Sequence, residues 1–134
     1  MDPSADDQYA IGMASETGHL AVVSRLLEDA RVDPSADDQY AIRWASKNGH
    51  LAVVSRLLED ARVDPSADDQ YAICLASKNG HLAVVTALLS HPAVDPRARG
   101  GGILQAALNA GHVGVAAVLK ADPRMAQYAG MVAQ

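Results

Sequence analysis

Residues 2–32, 33–63 and 64–94 all open on DPSADDQYAI and run on to ASxxGHLAVV. Residues 95–125 keep Asp95-Pro96, Ala107, Gly111-His112 and Leu119 in the same phase. The period is 31 residues. A repeat of this length constrains the fold more than any local motif. Each unit is one supersecondary element that cannot bury its apolar face alone, so neighbours must stack to build a continuous core. The expected organisation is a single domain over 1–134, with units at 2–32, 33–63, 64–94 and 95–125 and a C-terminal capping helix at about 124–133. Asp122-Pro123 provides that last helix with an N-cap and first-turn pair.

The second unit shows what each copy builds. Ala41, Ile42, Trp44 and Ala45 follow a helical spacing after Asp37-Asp38, an acidic pair suited to an N-cap and first turn. Gly49 supplies the left-handed residue that ends this helix. Leu51, Val53, Val54, Leu57 and Leu58 then give a second helix whose apolar face is too wide for one neighbour. Val63-Asp64-Pro65-Ser66 reads as an extended turn into the next unit, since proline disfavours helix at the residue before it. Each unit is therefore helix, turn, helix and a short hairpin-like loop. Ile42, Ala45, Leu51, Val54, Leu57 and Leu58, with their equivalents, form the expected core. The fold class is all-α.

Composition narrows the function. Apolar residues make up 49% of the chain but aromatics only 4%, so the core is built from Ala, Val, Leu and Ile, which suits closely packed helices. A net charge of −5 offers no global attraction to nucleic acid or anionic lipid. The stretch from Gly100 to Leu119 is uncharged but is broken by glycines, Gln105, Asn109 and His112, so no membrane span is expected. The single cysteine, Cys74, and an N-terminus without a basic start and apolar run point to an intracellular, cytoplasmic setting.

The stretch from Ala41 to Glu59, AIRWASKNGHLAVVSRLLE, resembles the ankyrin repeat. Ala45, Gly49-His50, Val53-Val54 and Leu57-Leu58 match that family's pattern, while Tyr40-Ala41-Ile42-Arg43 stands in its Thr-Pro-Leu-His slot. The usual period of 33 is shortened to 31 through the loops. The resemblance implies a solenoid of stacked helix-turn-helix units, no cofactor, no catalysis, and recognition of a protein or peptide through a concave face lined by the first helices.

Alternative chemistries do not hold up. His19, His50, His81 and His112 recur with the period, but stacked helices about 8–10 Å apart keep equivalent imidazoles from sharing a metal ion, so a ring bonded to nearby backbone is expected. The pairs Asp6-Asp7, Asp37-Asp38 and Asp68-Asp69 lack the converging oxygens that calcium needs. Arg97 and Arg99 face the acidic ladder from the fourth unit and are read as its ion-pair finish. Ser15, Ser46 and Ser77 have no base to activate them, and Cys74 has no basic neighbour on its own helix. The glycines at 100–102 lack the flanks of a phosphate loop.

The differences between units are the sharper clue. Units one and two differ at Gly12/Arg43, Met13/Trp44, Glu16/Lys47 and Thr17/Asn48, all on the first helix. Residues 43 and 47 share a helix face. Such clustering reads as variation of a recognition surface on a fixed scaffold. Arg43, Trp44 and Lys47 form its centre, Gln39 and Lys78 lie beside them, and Met13 and Glu16 flank them with Gly12. Trp44 fits gap-filling between repeats equally well. The alternative function is an engineered or consensus-like scaffold, or a structural array. Weak self-association through the first unit is also expected, because that unit copies an interior one and lacks a polar outer face. Ile11, Met13, Val22, Val23 and Leu26 are the residues expected to be under-covered there.

Overall fold

The computed structural model describes residues 3–98 and 101–125, with side chains from residue 8 onward. Its helices come in pairs: α1 (Pro3–Thr17) with α2 (Leu20–Leu27), α3 (Ala36–Lys47) with α4 (Leu51–Leu58), α5 (Ala67–Lys78) with α6 (Leu82–Leu89), and α7 (Gly102–Asn109) with α8 (Val113–Ala121). Among the described residues there is no strand, and no helix is long and apolar enough to cross a membrane. The first helices α1, α3, α5 and α7 pack in one row and the second helices α2, α4, α6 and α8 in another. The core runs between the rows. Residues 123–125 are helical; the rest of the stretch expected to form a capping helix, at about 124–133, lies outside the described residues.

The turn inside each pair is set by the Gly-His dipeptide. Gly49 lies at φ 77°, and the His50 backbone N–H donates to the Ala45 carbonyl at 2.9 Å. The imidazole does not cap the following helix, contrary to the expected backbone bond. It lies against the glycine of the preceding unit instead. A Cβ on Gly18 would stand 2.6 Å from His50 Nδ1. Glycine is therefore required twice here, for its positive φ and for the ring of the next unit.

Burial departs from expectation on the second helices. Ile42, Ala45, Val54 and Leu57 are fully buried, but Leu51 is exposed and Leu58 only half-buried. Val53 takes the place expected of Leu51. Leu51 opens its helix and is 41% exposed, whereas the position of Val53 is covered only where a unit precedes it, since its equivalent Val22 in the first unit is 48% exposed. At the first unit, Val22 is exposed and Leu26 and Met13 are half-buried, but Ile11 and Val23 are buried, because α1 and α2 already cover those two from within the pair.

The acidic pairs also behave differently from the reading as caps. Ser35 holds the N-cap position of α3 without a side-chain bond, and Asp37, Asp38 and Gln39 lie at φ 55°, 56° and 64°. The same pattern recurs at Asp68, Asp69 and Gln70. Left-handed backbone is tolerated by Asp but strained in Gln. The capping work falls to the aspartate of each Asp-Pro. Asp33 Oδ1 accepts from the Ser35 backbone at 2.9 Å, Asp64 repeats this with Ser66, and Asp122 Oδ1 accepts from the Arg124 backbone at 2.9 Å. These are Asx turns, the local closure that a short polar side chain offers its own backbone. Arg97 pairs with Asp95 of its own turn at 3.0 Å, and Arg99 lies outside the described residues.

Candidate functional site

The residues that vary between units lie along the first-helix row. Trp44 and Tyr40 are one turn apart on α3, and their rings meet with centroids 5.5 Å apart. Lys47 Nζ stands 4.4 Å over the Trp44 ring, an i, i+3 cation–π contact. Trp44 is half-buried, as are Met13 and Leu75 at the same position of the neighbouring units. The position thus packs on one side and faces solvent on the other.

Arg43 makes an elaborate set of contacts. Its guanidinium lies 5.5 Å from the centroid of the Tyr71 ring in the next unit. Nε donates to the Asp38 carbonyl at 2.8 Å, and a terminal nitrogen donates to the Asp37 carbonyl at 3.2 Å. Arg43 therefore satisfies the carbonyls left open by the left-handed turn while bridging two units. A guanidinium has five N–H donors, so others remain for a partner.

The flanking residues have distinct placements. The Gln39 side-chain oxygen accepts from the Asp64 backbone at 3.0 Å, clasping the loop into the third unit, and Gln8 does the same for Asp33. Lys78 is exposed. Asn48 donates from Nδ2 to the Glu16 carbonyl of the preceding unit at 3.0 Å, and Asn79 repeats this with Lys47. Thr17, at the equivalent place in the first unit, donates to Met13 of its own helix at 2.7 Å. The change at 17/48 thus matches a tie between units.

Between α1 and α3 lies a cavity of about 130 Å³, with Tyr9, Gly12, Met13, Asp33, Asp37 and Tyr40 in its wall. Gly12 lies in this wall with the Tyr40 ring packed close against it. A Cβ there would stand 3.1 Å from Tyr40 Cδ1. Burial, followed by a hydrogen bond to the Glu16 carboxylate, raises the Tyr40 pKa, so its hydroxyl keeps its proton at neutral pH.

The three tyrosines Tyr9, Tyr40 and Tyr71 were not singled out from the sequence, although they recur at the period. Tyr40 and Trp44, four apart, were the available signal. Among the described residues no group of three His, Cys, Asp or Glu side chains is placed to hold a metal ion.

Compared with known protein families, a family model described as ankyrin repeats (three copies) matches residues 44–127. No curated protein matches the chain. The matched stretch takes in the last turn of α3 and every helix from α4 to α8, and the two-row stacking of helix pairs agrees with it. More than half of the sequence is covered, and this chain belongs to the ankyrin repeat family.

Proposed function

We propose that this chain is a protein-recognition module that docks a protein or peptide on its first-helix row, with no catalysis of its own. Ankyrin repeats generally serve as protein–protein interaction modules. Arg43, Trp44 and Lys47 are the centre of the surface, with Gln39, Lys78, Met13 and Glu16 at its margin. The observation that carries this reading is the half-buried aromatic and cationic stack of Tyr40, Trp44 and Lys47 beside the Arg43–Tyr71 pair. It holds large apolar area and planar donors in a fixed geometry, and Trp, Tyr and Arg are the side chains most enriched at interface hot spots. Arg43 and Lys47 favour an acidic group on the partner, with an association rate that falls as salt rises.

A displayed peptide library selected on the immobilised chain provides ligands for the test. Arg43→Ala and Trp44→Ala are expected to weaken the selected peptides by about 2 kcal/mol or more, whereas Arg25→Ala and Arg56→Ala on the second helices leave affinity nearly unchanged. Melting temperatures of the same variants separate an anchor, which loses affinity alone, from a packing residue, which loses both. Selected peptides that respond only to the second-helix substitutions overturn the assignment.

The exposure of Val22 favours a second reading, weak self-association through the first unit. A mass that stays monomeric by light scattering up to near-millimolar concentration removes it.

A further inference from the structure

Two successive interfaces between first helices differ in one respect that bears on what the surface binds. Between the second and third units, the Arg43 side chain fills the space over the Tyr71 ring. Between the first and second units, the corresponding tyrosine, Tyr40, faces Gly12, and the space is a cavity of about 130 Å³. A single water needs roughly 10–15 Å³, so the cavity has room for several waters or for the planar end of a side chain.

The walls select what enters. Tyr40 and the well-exposed Tyr9 offer ring surface, and Met13 adds a polarizable edge. Asp33 and Asp37 line the cavity, and the Glu16 carboxylate acts on the Tyr40 hydroxyl and raises its pKa. Ser35 engages one oxygen of Asp33 through both its backbone N–H and its hydroxyl, and the carboxylate stays in the cavity wall as a charge. An aromatic platform with carboxylates at its rim favours a cation that is flat and weakly hydrated. The neighbouring interface shows such a cation seated on the equivalent ring.

We propose that the Gly12 cavity is a recognition pocket for an arginine side chain of a protein partner, its guanidinium lying over Tyr40 as that of Arg43 lies over Tyr71. The proposal rests on the first-helix row being the recognition surface and names what the partner must present there. At position 12 the chain supplies no guanidinium of its own to the ring packed against it, as Arg43 does one period later.

The probe is N-acetyl-arginine amide, titrated into the 15N-labelled full chain and followed through the amide resonances of Gly12 and Tyr40. Its neutral isostere, N-acetyl-citrulline amide, serves as comparison. Saturable shifts at both residues are expected with the arginine probe, and binding about tenfold weaker with the citrulline probe. Gly12→Arg should abolish those shifts by filling the pocket from within, with the remaining spectrum preserved. Tyr40→Leu should weaken the arginine probe about fivefold or more and carries the test if Gly12→Arg does not fold. Equal binding of both probes, no saturable shift at Gly12 and Tyr40, or binding that survives both substitutions overturns the pocket. None of those results touches the library ligands at Arg43 and Trp44, so the pocket and the wider recognition surface fail separately.

Discussion

The first and second units differ at four positions, yet identical residues in them have different environments. Val22 is 48% exposed and Val53 1%. Leu26 is half-buried, while Leu57 is completely covered. The sequence around each pair is the same, LAVVSRLL. What differs is the neighbour: α4 has α2 on one side and α6 on the other, whereas α2 packs on α4 alone among the second helices. In such an array burial belongs to the interface between units rather than to the residue. Stability is then approximately a sum of unit terms and nearest-neighbour terms.

The most severe test of that comparison is truncation of paired positions. Leu57→Ala should cost about 2–5 kcal/mol, as for other fully buried leucines, and Leu26→Ala less than about 1.5 kcal/mol. The same ordering holds for Val53→Ala against Val22→Ala. Urea unfolding of the four variants measures it. Equal losses within a pair would mean that the outer face of the first unit is covered in solution, which self-association accomplishes, and a concentration dependence of the midpoint identifies that case.

The ties between units come next in size. Asn48 reaches back to the Glu16 carbonyl, whereas Thr17 bonds its own helix. Asn48→Ala is expected to cost about 0.5–1.5 kcal/mol, toward the low end because the bond is exposed. Thr17→Ala should be close to neutral, since a hydroxyl that back-bonds its own helix offers little stabilisation. Loss of stability at Thr17 equal to that at Asn48 would show that the variation at this position has no connection with stacking.

The aspartates of the second loops carry the pH dependence. Asp29 is held down to about 2 by the Arg31 guanidinium and backbone, and Asp60 is lowered in the same manner by Arg62. Arg124 lowers Asp122 likewise. A carboxyl depressed in the folded chain stabilises it at pH values above the ordinary 3.8 and loses that contribution as pH falls through the folded value. Acid should therefore destabilise the array progressively below about pH 4. Asp29, paired with the well-exposed Arg31, should contribute little despite its low value. The Asp60 side chain is 16% exposed against 36% for Asp29, and its partner Arg62 donates to the Val32 carbonyl of the preceding loop at 2.7 Å. Asp60→Asn should flatten the acid limb of stability against pH more than Asp29→Asn; the reverse order would remove Arg62 as a cross-unit tie.

Local features of this fold were legible in the sequence, and features made by stacking were not. The helix pairs and the glycine stop depend on residues within one turn of each other, and the period shows directly when the units are laid side by side. The choice between Leu51 and Val53 does not, because both are apolar and only the preceding unit decides which is covered. The aspartates divide in the same way. Propensity allowed a capping role to Asp37-Asp38, but the Asp-Pro turn already places the Asp33 carboxylate on the Ser35 backbone. Arg43 and Lys47 were readable as one helix face. The Tyr71 ring under Arg43 is 28 residues away and meets it only when units stack. The Gly12 cavity is of the same kind, since it exists only between α1 and α3.

The smallest expected effect concerns the serines at the end of each first helix. Ser15, Ser46 and Ser77 are completely buried, and none of their hydroxyls has a hydrogen-bond partner among the described residues. The equivalent place in the fourth unit holds Leu108, which is exposed, so the larger residue stands where the position is not covered by the described residues. Small size is thus what the interior position requires, and the hydroxyl adds a desolvation cost without a compensating bond. Ser46→Ala keeps the size and removes the cost. It should leave stability unchanged or raise it by up to about 1 kcal/mol, read as a melting temperature equal to or a few degrees above the parent. Ser15→Ala, beneath the second unit's helix row, should behave alike, because α3 covers it as α5 covers Ser46. A loss of about 1 kcal/mol or more at Ser46 would show that its hydroxyl has a partner in solution, such as a buried water, and that the interface holds polar structure as well as packed carbon.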